Sequence, residues 1–414
     1  MPGKLIEIEE ARRLVLERVA PLGPEPVAVR AALGRILAED VTSADNVPGF
    51  DNSAMDGYAV RARDTEPATE ERPTRLDLVD ESRAGHPATH VVAPMEAVAI
   101  STGAVVPEGA DAVVRVEDTD GSREGKVAIR ARVEPGRNIR RAGEDVERGE
   151  TVLGAGTVLG PAEIGVLVSV GRDRVVCGRR PSVAVLTTGD ELQEPGAPLR
   201  VGAVRNSNAH TLAALVEDAG AECTLVEIVP DDAEATETAL DRALASDVTI
   251  VSGGVSVGEH DHVRPALEKL GAEQVFWGVA LRPGKPTFFG LAPHRPGAGL
   301  ARNLVFGLPG NPVSAMVTFL LFARPAIRGL LGAEPDERRR ATAIFDEDYA
   351  KAPGRAHLVR CTLELRDDGW HARSTGAQGS HVLTSMLGAD ALAILPSQAG
   401  DVSAGDRVEI ELLP

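Results

Sequence analysis

Val248-Thr249-Ile250-Val251-Ser252-Gly253-Gly254 is a short unbroken apolar run that ends in a hydroxyl and two glycines. Three other apolar runs of similar length are VAVLTTG at 183–189, CTLVEIV at 223–229 and NLVFGLPG at 303–310, the first and last of them also carrying glycine at their ends. Between and after them lie stretches with helical spacing, at 209–219, 232–245, 262–270 and 312–331. Strands buried on both faces read as continuous apolar runs, and the crossovers between parallel strands are usually helices. Residues 181–330 therefore predict a doubly wound α/β domain whose strands end in Gly-containing turns. Ligands of such sheets bind outside the carboxyl ends of the strands.

Outward from this region the texture changes. Residues 5–20 have the spacing of an amphipathic helix, and the short runs broken by Gly, Pro and Asp from 58 to 138 predict an inserted β domain. Short strands return past Arg340 (CTLEL, ALAIL, RVEIELL) and predict a small β-barrel or sandwich. The expected class is multidomain α/β plus all-β. With a net charge of -18 over 414 residues, the chain lacks the basic field that nucleic-acid binding needs. No apolar run reaches the roughly 20 residues of a bilayer span, and acidic residues stand near Met1 where a signal peptide would be apolar. Cys177, Cys223 and Cys361 are odd in number and far apart, as thiols of the cell interior would be.

The strand-end turns carry the chemistry. Thr188-Gly189-Asp190-Glu191 follows the first run; Ser252, Gly253 and Gly254, with Ser256, Gly258 and Asp261 beyond them, follow the third; Pro309-Gly310-Asn311-Pro312 opens the last helix, with Ser314 inside it. Glycine permits close backbone approach, and successive N–H groups at a helix start make an anion-binding concavity. Singly, each is ordinary turn chemistry, with Pro312 at a first helical position. Three at one sheet edge predict a platform for a phosphorylated ligand. Asp190, Glu191 and Asp261 would suit Mg²⁺, or another divalent cation, beside phosphate. Asp232 reads instead as a helix N-cap. Arg282-Pro283-Gly284-Lys285-Pro286 presents two cations after the strand-like QVFWGVA.

Pro48-Gly49-Phe50-Asp51-Asn52-Ser53-Ala54-Met55-Asp56-Gly57-Tyr58 resembles the signature of the molybdopterin molybdenumtransferase family, bacterial MoeA and the gephyrin E domain. The likeness continues in order through Ser101-Thr102-Gly103-Ala104, Asn138–Asp145, the strand-end turns, RPGKP, Arg360 and Gln378-Gly379-Ser380-His381. It implies four parts: 1–45 with 146–180, an inserted β domain at 46–145, a molybdopterin-binding domain at 181–330, and a C-terminal β-barrel domain at 337–414. It further implies a cytoplasmic homodimer whose site joins one subunit's α/β domain to Asp56 and Thr102 of the other. The implied reaction inserts molybdate into adenylylated molybdopterin with release of AMP, Asp56, Thr102, Glu191, Asp261 and Lys285 being catalytic. The molybdate pocket falls by the family pattern to Arg282, Lys285, Ser314, Arg360 and Ser380. A unit charge pair near 4 Å contributes roughly 4 kcal/mol at an effective dielectric of about 20, so two or three cations would hold a dianion. Lysine often stands in the family where Arg282 stands here, and arginine's planar fork is a different oxyanion ligand. Partners implied are an upstream adenylyltransferase and cofactor-accepting enzymes. Two rival readings are the preceding adenylyltransferase step and a scaffold without turnover.

Overall fold

The computed structural model describes residues 5–196, 198–255, 261–293, 302–334 and 340–413. Ser182–Thr188 lies at the heart of a six-stranded sheet, flanked by Glu222–Val229 and Val248–Ser252, with Arg302–Leu308 beyond the latter. These four strands are parallel. The sheet is not parallel throughout, however. Phe288–Pro293 and Glu273–Trp277 add an antiparallel ribbon at one edge. Their short connection needs no helical crossover, which is the physical condition for antiparallel neighbours.

Helices Ser207–Asp218, Ala233–Ala243 and Val263–Lys269 occupy the expected stretches. Asp232 caps its helix, accepting a hydrogen bond from the Ala235 amide at 2.8 Å. The last helix, Pro312–Leu330, corrects the expectation of no span-length apolar run: it is long and apolar enough to cross a bilayer. Yet 78% of its most apolar window is buried against the protein, and it is the core helix. Phe319, Leu321, Phe322, Ile327 and Leu330 are all fully buried, each contributing about 1.5–3 kcal/mol of apolar burial. Its middle, Phe319–Ala323, widens to a π turn just before Pro325. Proline has no N–H for the regular ladder, so the bond pattern must loosen there.

Leu358 and Leu392 share the apolar cluster of that helix, as do Ile8, Ala11 and Val15 of the N-terminal helix Ile8–Leu16. The C-terminal strands Ala356–Arg366, Gly369–Ser374, Arg340–Phe345, Arg407–Leu412 and Ala391–Leu395 close into a five-stranded barrel, since the first also pairs with the last. A sixth strand joins from outside it. Leu281–Arg282, in the connection between the two strands of the α/β edge ribbon, runs parallel to the barrel strand Ala356–Arg366 with Arg282 opposite His357.

The inserted sheet runs Ala112–Arg115, Gly57–Val60, Glu96–Ile100, Thr74–Ser82, Lys126–Ile129 and Thr119–Arg123. Its two apolar clusters contain residues of the insertion alone. Pro24–Ala28 pairs with Arg174–Gly178, and Val41–Thr42 with Thr151–Leu153, over a core of Val27, Leu37, Leu159, Leu167 and Val175.

Candidate functional site

The carboxyl ends of the parallel strands open into a cleft of about 800 Å³, within the range of small-molecule sites. Thr188, Gly189 and Glu191 line it from the first turn, Ser252, Gly253, Gly254 and Asp261 from the second, Gly310, Asn311 and Pro312 from the third. Sequence reasoning placed these turns at one sheet edge, and the structure brings them together. Gly253 shows why glycine is needed: its φ is +95°, and a Cβ there would lie 2.7 Å from Thr188 Oγ1. Ser252 Oγ donates to the Pro309 carbonyl at 3.1 Å, tying the second turn to the third.

Two asparagines absent from the sequence-based site complete the framework. Asn208 Nδ2 donates to Ser252 Oγ at 2.9 Å and to the Gly310 carbonyl at 2.7 Å. Asn206 Nδ2 donates to Thr187 Oγ1 at 3.1 Å while its Oδ1 caps the helix at Ala209. An Asn-Ser-Asn at a helix start reads as capping chemistry, which hid the second role. Arg205 also lines the cleft and donates to the Glu194 carbonyl at 2.8 Å.

The expected carboxylate trio is not assembled. Asp190 turns to Asp231, whose backbone N–H donates to Asp190 Oδ1 at 3.2 Å, and it does not line the cleft. Among the described residues no three acidic, His or Cys side chains are grouped to hold a metal. Glu191 and Asp261 do share the cleft. Two carboxylates plus ligand phosphates satisfy Mg²⁺, which keeps several waters. Burial pushes the Asp261 carboxyl up to about 6, against the opposing pull of Arg264 and the amides of Arg264 and Val263. Ser256 and Gly258 lie outside the described residues.

A second constellation sits where the α/β domain meets the barrel. The Arg282 strand runs beside His357, and Arg282 and Arg360 both bear on Tyr349. His357 is driven down to about 4, chiefly by burial and then by Arg282, Lys351 and Arg355. It accepts or donates at Tyr349 OH over 3.3 Å. Arg360 is buried, its guanidinium donating to Ser385 Oγ at 3.0–3.1 Å and to the Gly379 carbonyl at 3.3 Å. Arg282 and Lys285 are exposed, Ser314 is buried and Ser380 half-buried. Among the described residues, no carboxylate lies within ion-pair distance of Arg282, Lys285, Lys351, Arg355 or Arg360. Positive charge without a counter-ion is a physical signature of an anion site.

Asp56 and Thr102 are joined to each other but not to the cleft. Thr102 donates to Asp56 Oδ1 from its amide at 2.7 Å and its hydroxyl at 3.1 Å, and both side chains are accessible. No residue of the insertion lines the cleft within one chain. The reason is that the insertion packs on its own core. Much of the surrounding motif is structural: Asp51 accepts from the Ala142 amide at 2.8 Å and from Arg141 at 2.5 Å. Beside Asp56, Phe50, Met55 and Val116 are exposed.

Comparison with known proteins covers almost the whole chain. Residues 6–171 match the MoeA N-terminal region (domains I and II), 184–329 the probable molybdopterin binding domain, and 342–413 the MoeA C-terminal region (domain IV). The chain is similar to a molybdopterin molybdenumtransferase from Haemophilus influenzae, 38% identical over 98% of each chain. It is 36% identical to one from Bacillus subtilis, over 99% of this chain and 94% of the other. A solved molybdopterin biosynthesis MoeA protein from Pyrococcus horikoshii superimposes with a TM-score of 0.81 at 31% identity, covering 99% of this chain and 100% of that one.

Proposed function

The chain belongs to the molybdopterin molybdenumtransferase family, an enzyme family of molybdenum cofactor biosynthesis, and we propose that it inserts molybdate into adenylylated molybdopterin, releasing AMP. The single observation that carries this reading is the pairing of a phosphate-type cleft with a cationic pocket that has no counter-ion among the described residues, the two meeting at the helix that begins at Pro312. The Thr188, Ser252–Gly254 and Gly310–Pro312 turns would hold the nucleotide phosphates. Arg282, Lys285, Ser314, Arg360 and Ser380 would hold the oxyanion. The sulfurs that receive molybdenum belong to the pterin, so the protein's task is positioning and charge stabilisation. A divalent cation held by Glu191 and Asp261 would offset the phosphate charge.

Asp56 and Thr102 act in this reading from a second copy of the chain, completing the partner's cleft in a homodimer. The exposed Asp56–Thr102 pair and the exposed apolar residues beside it support that. A cytoplasmic location suits the three free thiols.

The test supplies purified protein with adenylylated molybdopterin, Mg²⁺ and molybdate, and follows AMP by chromatography. Molybdate-dependent AMP release is expected. Substrate that stays intact after molybdate is added, or adenylylated product made from molybdopterin and Mg-ATP without a partner enzyme, overturns the assignment.

A further inference from the structure

Every described residue lining the cleft comes from the α/β stretch 187–312 except one, His381. It ends the turn 377–381, which leaves the barrel after the strand Gly369–Ser374. That turn is fastened at both ends to the two constellations described above. On one side the Arg360 amide donates to Gln378 Oε1 at 2.9 Å, and Arg360 Nη2 donates to the carbonyls of Gly379 at 3.3 Å and Ala377 at 3.5 Å. On the other, the Val313 amide donates to the Ser380 carbonyl at 3.1 Å, at the start of the helix whose Pro312 faces the cleft. The imidazole lies close over the turn: a Cβ on Gly379 would be 2.9 Å from His381 Cε1.

We propose that His381 is a positioning residue that couples the two subsites, so that oxyanion binding at Arg360 and Ser380 resets the 377–381 turn and with it the imidazole facing the nucleotide. The proposal rests on the reading of the two subsites given above and adds how one is informed of the other.

The physical case lies in the donors. The guanidinium contacts to Gly379 and Ala377 are long for N–H···O bonds, and their acceptors are neutral. A dianion competes for the same donors with charge-assisted bonds about twice as strong. Arg360 has no carboxylate to restrain it among the described residues, so the competition favours the incoming anion. Carbonyls that lose the Arg360 guanidinium free the Ala377 and Gly379 peptides to move, while the Arg360 amide at Gln378 and the Val313 amide at Ser380 keep the turn anchored between the two subsites. Each ligand thus acts on one shared element, which is the requirement for coupling between sites.

The test uses the full-length chain with molybdate and AMP as probes. AMP affinity is measured by calorimetry without molybdate and with molybdate at saturation, and the ratio of the two constants is the readout. The wild type is expected to give a ratio at least fivefold from unity, and His381→Ala less than twofold. A weaker AMP affinity alone does not alter the ratio, so loss of a cleft contact is not mistaken for loss of coupling. His381 is exposed, and an unchanged melting temperature verifies that the variant is folded. A wild-type ratio near one, or a variant that keeps the wild-type ratio, overturns the coupling while leaving both subsites standing. Failure of either probe to bind the wild type at millimolar concentration removes the subsites themselves, and the coupling with them.

Discussion

The strand-end cleft and the cationic seam are neighbours built in opposite ways. The cleft's α/β walls are short local segments in which a parallel strand ends and a glycine turn follows, as at Thr188–Gly189, Ser252–Gly254 and Leu308–Gly310. The seam draws on residues near 282, 314, 360 and 380, and no two of its segments adjoin in the chain. They meet because Leu281–Arg282 leaves the α/β edge and pairs with Ala356–His357 of the barrel. The cleft is thus written in local backbone chemistry, and the seam in one long-range strand pairing. That difference decides what a mutation can damage. In the cleft it is geometry; in the seam it is charge.

The largest effect is expected from Lys285→Ala. The side chain is exposed and has no ion-pair partner among the described residues, so stability should change by no more than about 0.5 kcal/mol. Molybdate-dependent AMP release should fall about 10²–10³-fold, the usual cost of removing one preorganised charge-stabilising group. Steady-state kinetics beside a thermal melt would check it; near-normal turnover would dissolve the seam as an oxyanion pocket.

Next comes Asp56→Asn, expected to lower turnover at least tenfold without unfolding the insertion. Mixing it with Lys285→Ala subunits through a denaturation–renaturation cycle should restore activity, because heterodimers carry one intact composite site. No recovery above the separate variants would mean that the cleft is complete within one chain.

Gly253→Ala tests the cleft's dependence on backbone. The left-handed φ and the contact with Thr188 should cost about 1–3 kcal/mol of stability. AMP affinity should weaken while molybdate affinity holds, and calorimetry with each probe separates the two.

The smallest effect concerns the barrel itself, outside the residues of the seam. His371 lies between Asp346 Oδ1 at 2.6 Å and Asp368 Oδ1 at 2.9 Å, and these carboxylates raise its pKa above the ordinary 6.5. Its stabilisation is therefore fully present below about pH 6.5 and lost as pH rises through the raised value. The melting temperatures of wild type and His371→Gln should differ most near pH 5–6 and converge in alkali. A constant difference across that range would show that the ion pairs are not the cause.

How much could be read in advance follows the same division. The parallel strands, their helices, the Asp232 cap and the three Gly turns were legible, because apolar runs, spacing and capping are local properties. The antiparallel strand Phe288–Pro293 was not, since its FFGLAP has no alternation to mark it. Asn208 and His381 were hidden for a related reason: one looks like a cap and the other like a loop residue until their partners are in place. Asp190 lies off the cleft and accepts from the Asp231 amide, because a carboxylate at a strand end serves a neighbouring backbone N–H as readily as a cation.

By itself the sequence determined the α/β strands, the turn chemistry and, through its ordered motifs, the family. Only the tertiary structure decided that Arg282 stands beside the barrel, that Arg360 is buried with no carboxylate partner among the described residues, and that Asp56 stays away from its own chain's cleft. Local backbone preference acts over a few residues and leaves its mark in them. Which distant charges share a low-dielectric space depends on strand pairing and domain packing, and no single segment encodes that.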